Sequence, residues 1–143
     1  MKLFAMMLVL MIPMQWEPDF ENAKKTAKEK HELILLNFSG SDWCGPCIVT
    51  RRDYFENEAF SNMAKDNLVM VNADFPRKKK NMGSAEVIKR NEALAEQYNK
   101  QGMFPFTLLL DASGKVLKTW SGKPEVSPEQ WTAEIKAICD AHK

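Results

Sequence analysis

Apolar and polar positions follow helical and strand patterns in turn along most of the chain, and this order predicts its secondary structure. Residues 33–38 form an apolar run broken only by Asn37, which is typical of a strand buried on both faces. Ser127, Pro128 and Gln130 carry the signature of a helix N-terminus. The predicted helices cover residues 19–30, 42–57, 59–64, 85–100 and 128–141, and the predicted strands cover residues 33–38, 68–73, 107–110 and 116–120. Such an alternation predicts an α/β fold in which helices cover both faces of one sheet.

The first 14 residues differ from the rest, because Lys2 is their only charged residue and residues 3–12 are apolar. A positive start and an apolar stretch of about 7–15 residues are typical of a secretory signal. A helix over residues 3–14 would be ~18 Å long, short of the ~30 Å hydrocarbon core of a bilayer. We therefore predict a signal peptide in residues 1–14, export to the periplasm or a comparable compartment, and one folded domain in residues 15–143. No small-residue cleavage site follows the apolar stretch, so a buried N-terminal strand or helix is the alternative.

Composition narrows the class of protein further. The chain has 143 residues, of which 45% are hydrophobic and 27% charged, as in a single globular domain. Lys and Arg number 20 against 19 Asp and Glu, so the net charge of +1 gives no reason to expect binding to nucleic acid or a membrane surface through bulk electrostatics. Three cysteines are too few for a scaffold built from disulfides.

The most informative motif is Trp43-Cys44-Gly45-Pro46-Cys47, which follows a predicted strand and begins a predicted helix. Two cysteines at this spacing on the first turn of a helix lie close enough to form a disulfide. The helix N-terminus presents free N–H groups that favour a thiolate and so lower the pKa of the first thiol. A thiol with a pKa of ~7 is about half ionised at neutral pH, against roughly 3% at ~8.5. We predict that Cys44 attacks a substrate disulfide and that Cys47 resolves the mixed disulfide. Gly45 would leave the approach to Cys44 open, and Pro46 would fix the start of the helix.

A zinc site is the alternative for these cysteines, because Cys139 and His142 could supply two further ligands. Residues 48–138 lie between the two pairs, however, which is far more than the roughly 12–20 residues of common zinc modules. Cys139 also follows the apolar spacing of the last helix, together with Trp131 and Ile135. We therefore expect no metal and a buried, inert Cys139, with a reactive third thiol as the other possibility.

The cysteine motif resembles the active site of the thioredoxin superfamily. A second segment, residues 102–110, resembles that family's cis-proline segment, with Pro105 as its proline. Residues 39–44 are similar to exported thioredoxin-like proteins of the bacterial envelope, which include periplasmic disulfide reductases and thiol:disulfide interchange proteins. The resemblance implies a central mixed sheet of four or five strands flanked by helices, a nucleophile at Cys44, and Pro105 in cis. It implies no cofactor other than a redox-active disulfide between Cys44 and Cys47.

The same resemblance suggests how a substrate protein binds. Five residues are expected to form a small apolar surface around Cys44: Trp43, Pro46, Phe104, Pro105 and Gly122. An exposed apolar patch of this kind is a docking site for partly unfolded chains. The backbone of Phe104 is expected to pair with an extended substrate segment as an added strand.

Three positions depart from cytosolic thioredoxin. Asn37 replaces the buried carboxylate of the strand before the active site, Met70 replaces its lysine partner, and Ile48 replaces a basic residue after the second cysteine. An amide cannot carry a proton at neutral pH. We therefore predict that proton transfer at Cys47 depends on water or substrate, which would slow turnover. The alternative for Asn37 is a polar group that merely has its hydrogen bonds satisfied.

These residues predict an exported thiol:disulfide oxidoreductase that reduces protein disulfides. The Gly-Pro pair between the cysteines resembles that of thioredoxin, which implies a reduction potential of ~−270 mV. That potential lies about 7 kcal/mol from the ~−120 mV of a strong envelope oxidant, so the pair favours reduction of substrates. The alternatives are a disulfide isomerase or oxidase, or a redox-inactive module that binds unfolded or partner proteins. Expected partners are disulfide-containing envelope proteins and a thiol electron donor such as a membrane thiol:disulfide interchange protein, with the chain a monomer. The basic run at residues 77–80 is expected to be solvated, with steering of acidic partners as its alternative role.

Overall fold

The computed structural model describes residues 14–143, so the predicted signal peptide lies almost wholly outside the described residues. The helices are α1 (Phe20–Lys30), α2 (Gly45–Thr50), α3 (Glu58–Asn67), α4 (Ala85–Tyr98) and α5 (Pro128–Ala141). The strands are β1 (Leu33–Ser39), β2 (Leu68–Asp74), β3 (Phe106–Leu110) and β4 (Val116–Ser121). The predicted order of helices and strands is therefore confirmed. None of the described helices combines the length and the apolar character needed to cross a membrane.

The four described strands form one mixed sheet in the order β2-β1-β3-β4. β1 and β2 are parallel, and α2 and α3 form the crossover between them. β3 is antiparallel to both β1 and β4. In this register Asn37 of β1 lies between Asn72 of β2 and Thr107 of β3.

Alternate residues of β1 are buried against helices on opposite faces of the sheet, as the unbroken apolar run predicts. Leu33 and Leu35 pack in the cluster that includes residues of α3 and α5. Ile34, Leu36 and Phe38 pack in the cluster that includes residues of α1 and α4. The α/β fold with helices on both faces is thus confirmed.

The core between the sheet and α5 is built around Trp131, which is completely buried. Its ring lies 5.5–5.7 Å from the rings of Tyr54, Phe55, Phe60 and Trp120, measured between centroids. Offset and edge-to-face packing of this kind stabilises aromatic pairs beyond the area that they bury. The cluster holds α5 and the segment after α2 against the sheet.

The predicted helix at residues 42–57 is shorter and less regular in the structure. α2 begins at Gly45, because residues 40–44 form a turn in which the Cys44 N–H donates to the Gly40 carbonyl. After Thr50 the helix widens into a π-helical turn over Arg51–Phe55. Asn57 then caps a separate helix, α3, through its side-chain oxygen. The π turn brings Tyr54 and Phe55 into the aromatic core, which the apolar spacing alone did not indicate.

Candidate active site

The two cysteines of the motif form a disulfide at the N-terminus of α2. Cys44 is the N-cap residue, and its Sγ accepts a hydrogen bond from the Cys47 N–H at 3.3 Å. Their Cα atoms are 5.2 Å apart, within the usual range for a disulfide. The Cys47 Sγ also accepts the Gly40 N–H at 3.5 Å. The structure therefore places Cys44 at the helix N-terminus and Cys47 one turn inside it.

Both cysteines are more buried than the sequence suggested. Cys44 is 5% exposed and Cys47 is 4% exposed, so both sulfurs are largely covered. Gly45 and Pro46 between them are exposed, and a Cβ added at Gly45 would meet no atom within 4 Å. The chain between the two cysteines is therefore exposed, although the cysteines themselves are not.

The cis-proline segment lies against the residue that precedes Cys44. The Phe104–Pro105 peptide bond is cis. The rings of Phe104 and Trp43 meet edge to face, with centroids 5.4 Å apart. The Gly122 N–H donates to the Pro105 carbonyl at 2.8 Å, and Gly122 has a φ of 79°, which favours glycine. The fold thus links these four residues from three segments of the chain, and it joins the cis-proline segment to Trp43, which directly precedes Cys44.

Trp43 has three further contacts besides the one with Phe104. Its indole N–H donates to the Phe75 carbonyl at 2.7 Å. One face of the indole packs so closely on Gly40 that a Cβ there would overlap the ring. The guanidinium of Arg77 lies 3.8 Å from a Trp43 ring centroid, in a cation–π contact. The position of this tryptophan therefore depends on the segment after β2 as well as on the cysteine motif.

Asp42 joins the cysteine loop to the segment after β2. Its carboxylate accepts the N–H groups of Arg77 and Lys78, both at 2.9 Å, and the Asn81 side chain at 3.0 Å. These bonds, the Arg77 N–H first among them, lower the pKa of Asp42 to about 2. Asp74 makes a second link, because its carboxylate accepts both the N–H and the hydroxyl of Ser41.

Asn37 is 5% exposed and has partners on both neighbouring strands. Its amide donates to the Asn72 side-chain oxygen at 3.0 Å, and its own oxygen accepts the Thr107 hydroxyl at 3.0 Å. A cavity of about 250 Å³ beside Cys47 is lined by polar and charged residues that include Ser39, Arg51 and Glu56. Asn37 thus has a hydrogen bond to each neighbouring strand, and Cys47 lines an adjacent cavity.

Cys139 lies in the core, apart from this chemistry. It is 2% exposed, and burial raises the pKa of its thiol to about 11. Its Sγ faces the Asn67 carbonyl at 4.0 Å, and His142 contacts the Ile138 carbonyl of its own helix. Within residues 14–143, no group of three or more His, Cys, Asp or Glu side chains is arranged to hold a metal ion.

Sequence reasoning missed Asp42, Phe75 and Arg77 as parts of the site. Asp42 is separated by 35 and 36 residues from the two N–H groups that it binds, and no local pattern reveals such contacts. The sequence signals were the single acidic residue directly before Trp43 and the basic run at residues 77–80, which contains Arg77.

Comparison with known proteins gives consistent matches. The thioredoxin-like family matches residues 15–112. The disulfide bond reductase DsbH of Chlamydia pneumoniae is 36% identical over 111 residues, which cover 78% of this chain and 64% of DsbH. The thioredoxin-related protein DsbJ of the same organism is 33% identical over 60 residues, or 42% of this chain and 17% of DsbJ. The chain therefore spans less than two thirds of the length of either relative.

A solved structure described as a DsbH oxidoreductase is also similar. It superposes with a TM-score of 0.80 and 32% identity, covering 90% of this chain and 86% of the other. The similarity in structure thus extends beyond the cysteine motif to nearly the whole described fold.

Proposed function

Because the chain belongs to the thioredoxin-like family, we propose that it is a thiol:disulfide oxidoreductase that reduces protein disulfides through Cys44 and Cys47. One feature carries this proposal: the Cys44–Cys47 disulfide lies at the N-terminus of α2, and the cis-proline segment packs against the adjacent Trp43. The similarity to the DsbH disulfide bond reductase supports it.

The reaction follows from the positions of the two sulfurs. In the reduced protein, the Cys44 thiolate attacks one sulfur of a substrate disulfide, and the other substrate sulfur leaves as a thiolate that takes up a proton. Cys47 then loses its proton and attacks the Cys44 Sγ, which releases the second substrate thiol and forms the Cys44–Cys47 disulfide. Two electrons pass from the protein to the substrate, and a thiol electron donor must return them.

The local hydrogen bonds suit this division of roles. The Cys47 N–H already points at the Cys44 Sγ, where it can stabilise the thiolate that attacks and leaves. Cys47 lies inside the first turn of α2, and among the described residues the Gly40 N–H is the only donor to its sulfur. Its sulfur lies next to the Cys44 Sγ, so it is placed to attack that sulfur in a mixed disulfide.

The segment around Phe104 suits binding of an extended substrate. Within the described part of the chain, no hydrogen bond involves the Phe104 backbone, so it is free to pair with another strand. Trp43, Phe104 and the exposed Pro46 supply apolar contacts, while Gly122 leaves space beside Pro105. We propose that substrate proteins lie across this surface with their disulfide at Cys44.

Reduction of an insulin-type disulfide by the full chain, with a dithiol as electron donor, tests the proposal. Cys44→Ser is expected to abolish activity, because it removes the attacking sulfur. Cys139→Ser is the matched control and is expected to keep the full rate, because that thiol is buried and has a raised pKa. Retained binding of unfolded proteins by Cys44→Ser, with no reduction by the unchanged protein, would instead indicate a redox-inactive binding module.

The direction of exchange has a separate test. Gly-Pro between the cysteines leads us to propose a reducing potential near the ~−270 mV of thioredoxin. Equilibration with glutathione measures it, and a value above about −150 mV would identify an oxidase instead.

We also propose that the protein works outside the cytoplasm, with envelope proteins as substrates and a membrane thiol:disulfide interchange protein as its electron donor. The apolar start of the chain and the Dsb-type relatives support this. Cys47→Ala should trap mixed disulfides at Cys44, because the resolving sulfur is gone. Identification of the trapped proteins, with cell fractionation, tests location and partners together.

A further inference from the structure

The basic loop (residues 77–80) is the most concentrated charge in the described structure that the exchange reaction does not use. Its members are Arg77, Lys78, Lys79 and Lys80, and all four side chains are exposed. Among the described residues, none of the four forms a salt bridge with a carboxylate. The Asp42 carboxylate binds backbone N–H groups of this loop, so it fixes the loop and leaves the lysine ammonium groups facing solvent.

The loop is held in place next to the disulfide. Asp42, which holds it, is two residues before Cys44, and Arg77 stacks on Trp43, which directly precedes Cys44. Residues 79–81 add a 3₁₀ turn whose Asn81 side chain also binds Asp42. The cations therefore border the surface on which a substrate disulfide must lie, rather than occupying a distant loop.

Nearby acidic groups compensate only part of this charge. The Asp42 carboxylate accepts hydrogen bonds from the backbone of the loop, and the Asp74 carboxylate accepts hydrogen bonds from Ser41. The four cations outnumber these two carboxylates and Glu86 in the first turn of α4, so a positive excess remains at this side of the site although the chain as a whole is nearly neutral. A local excess of one sign steers charged partners even when net charge is small.

We infer that the basic loop is a docking surface for an acidic segment of the substrate protein, which lies beside the disulfide to be reduced. This inference rests on the proposed function and narrows its substrate class to disulfides flanked by Asp or Glu. A protein segment fits better than a lipid or a free anion, because the loop borders the one place where a substrate polypeptide must bind.

The test uses the full chain and two disulfide-bridged peptides that are identical except for four residues beside the disulfide, Glu in one and Gln in the other. The first variant is Lys79→Gln with Lys80→Gln, which removes two charges and leaves the Asp42 contacts in place. The control is Lys28→Gln with Lys30→Gln, which removes two exposed lysines near the start of β1. The disulfide lies beyond the other end of that strand, whose seven residues span about 23 Å.

We expect the unchanged protein to reduce the Glu peptide with a kcat/KM at least about threefold higher than the Gln peptide at low ionic strength. The preference should disappear in the loop variant, remain in the control variant, and shrink at about 0.3 M salt.

Equal rates on the two peptides, or a preference that survives in the loop variant, would overturn the inference and leave the proposed function standing. Reduction of neither peptide would overturn both. Binding of anionic lipid vesicles that depends on Lys79 and Lys80, without a peptide preference, would assign the loop to a membrane surface and overturn the inference.

Discussion

Asn37 is a neutral amide in a row of polar side chains that crosses the sheet from β2 to β3. Its partners are Asn72 and Thr107, so each of its polar atoms has a hydrogen bond. The row lies near the end of β1, two residues before Ser39, which lines the cavity beside Cys47. A buried amide can hold this row together, but it cannot accept the proton that Cys47 loses when it attacks.

Replacing Asn37 with Asp should therefore accelerate disulfide reduction. A carboxylate can still accept the Thr107 hydroxyl, and the half-buried Asn72 can rotate its amide to donate. We expect a rise of roughly tenfold, below the ~10²–10⁴ of a well-placed general base, with a new ionisation in the pH–rate profile. Asn72→Asp is the control, since it adds the same charge to the row on the neighbouring strand. An unchanged rate, or an equal rise in the control, would contradict a specific role for position 37.

Single residues also mark the limit of sequence reasoning. The cysteine pair and its place at a helix start follow from local spacing, as do Ser127 and Gln130 at the start of α5, whose capping box the structure contains. The contact of Arg77 with Trp43 and the bonds of Asp42 could not be predicted, because they join loops that approach only when β1 and β2 pair.

The loop after β2 depends on the ionised form of Asp42. Its pKa is lowered to about 2 from an ordinary value of 3.8, so the folded state favours the carboxylate. Such a group contributes stability that is fully present above about pH 4 and is lost as the pH falls through about 2.

Asp42→Asn should accordingly lower the thermal unfolding midpoint at pH 7, since an amide oxygen cannot replace both carboxylate oxygens. The difference from the unchanged protein should persist down to about pH 4 and close as the pH approaches 2. Asp66→Asn, at an exposed carboxylate in α3, is the matched control and should have little effect. A difference that stays constant from pH 7 to pH 2 would show that the Asp42 charge is not responsible.

The packing of α5 against the sheet depends on Trp131. The ring packs against four aromatic side chains, but its indole N–H is buried without a hydrogen-bond partner among the described residues. An unpaired buried donor costs free energy, whereas the ring contributes large apolar contacts.

Trp131→Ala should reduce the free energy of unfolding by about 3–5 kcal/mol, because it leaves a cavity in the core. Trp131→Phe should lose less than half as much, since it keeps a ring and removes the unpaired N–H. Denaturant unfolding of both variants measures the two values. Equal losses would mean that the indole N–H has a partner or that the pocket accepts no other ring.

The sheet as a whole agrees with the prediction from sequence, and the reason is physical. β1 and β3 are buried on both faces, so their apolar runs are distinctive, and helices at period 3.6 separate the parallel pair. The π turn at Arg51–Phe55 was not predicted, because it is a departure from regular spacing that the aromatic core stabilises. The spacing of apolar residues in the sequence thus predicts the sheet and the helices on its two faces. The π turn after α2 depends instead on packing in the aromatic core.

The surroundings of the disulfide come from four separated parts of the sequence: residues 40–47, 74–81, 104–105 and 121–122. Before the strands have paired, Cys44 and Cys47 lack the neighbours that come from the last three of these parts. A newly made or translocating chain therefore carries the cysteine pair without the surface that we propose for docking, and folding adds a preference for particular substrates to thiols that are already present.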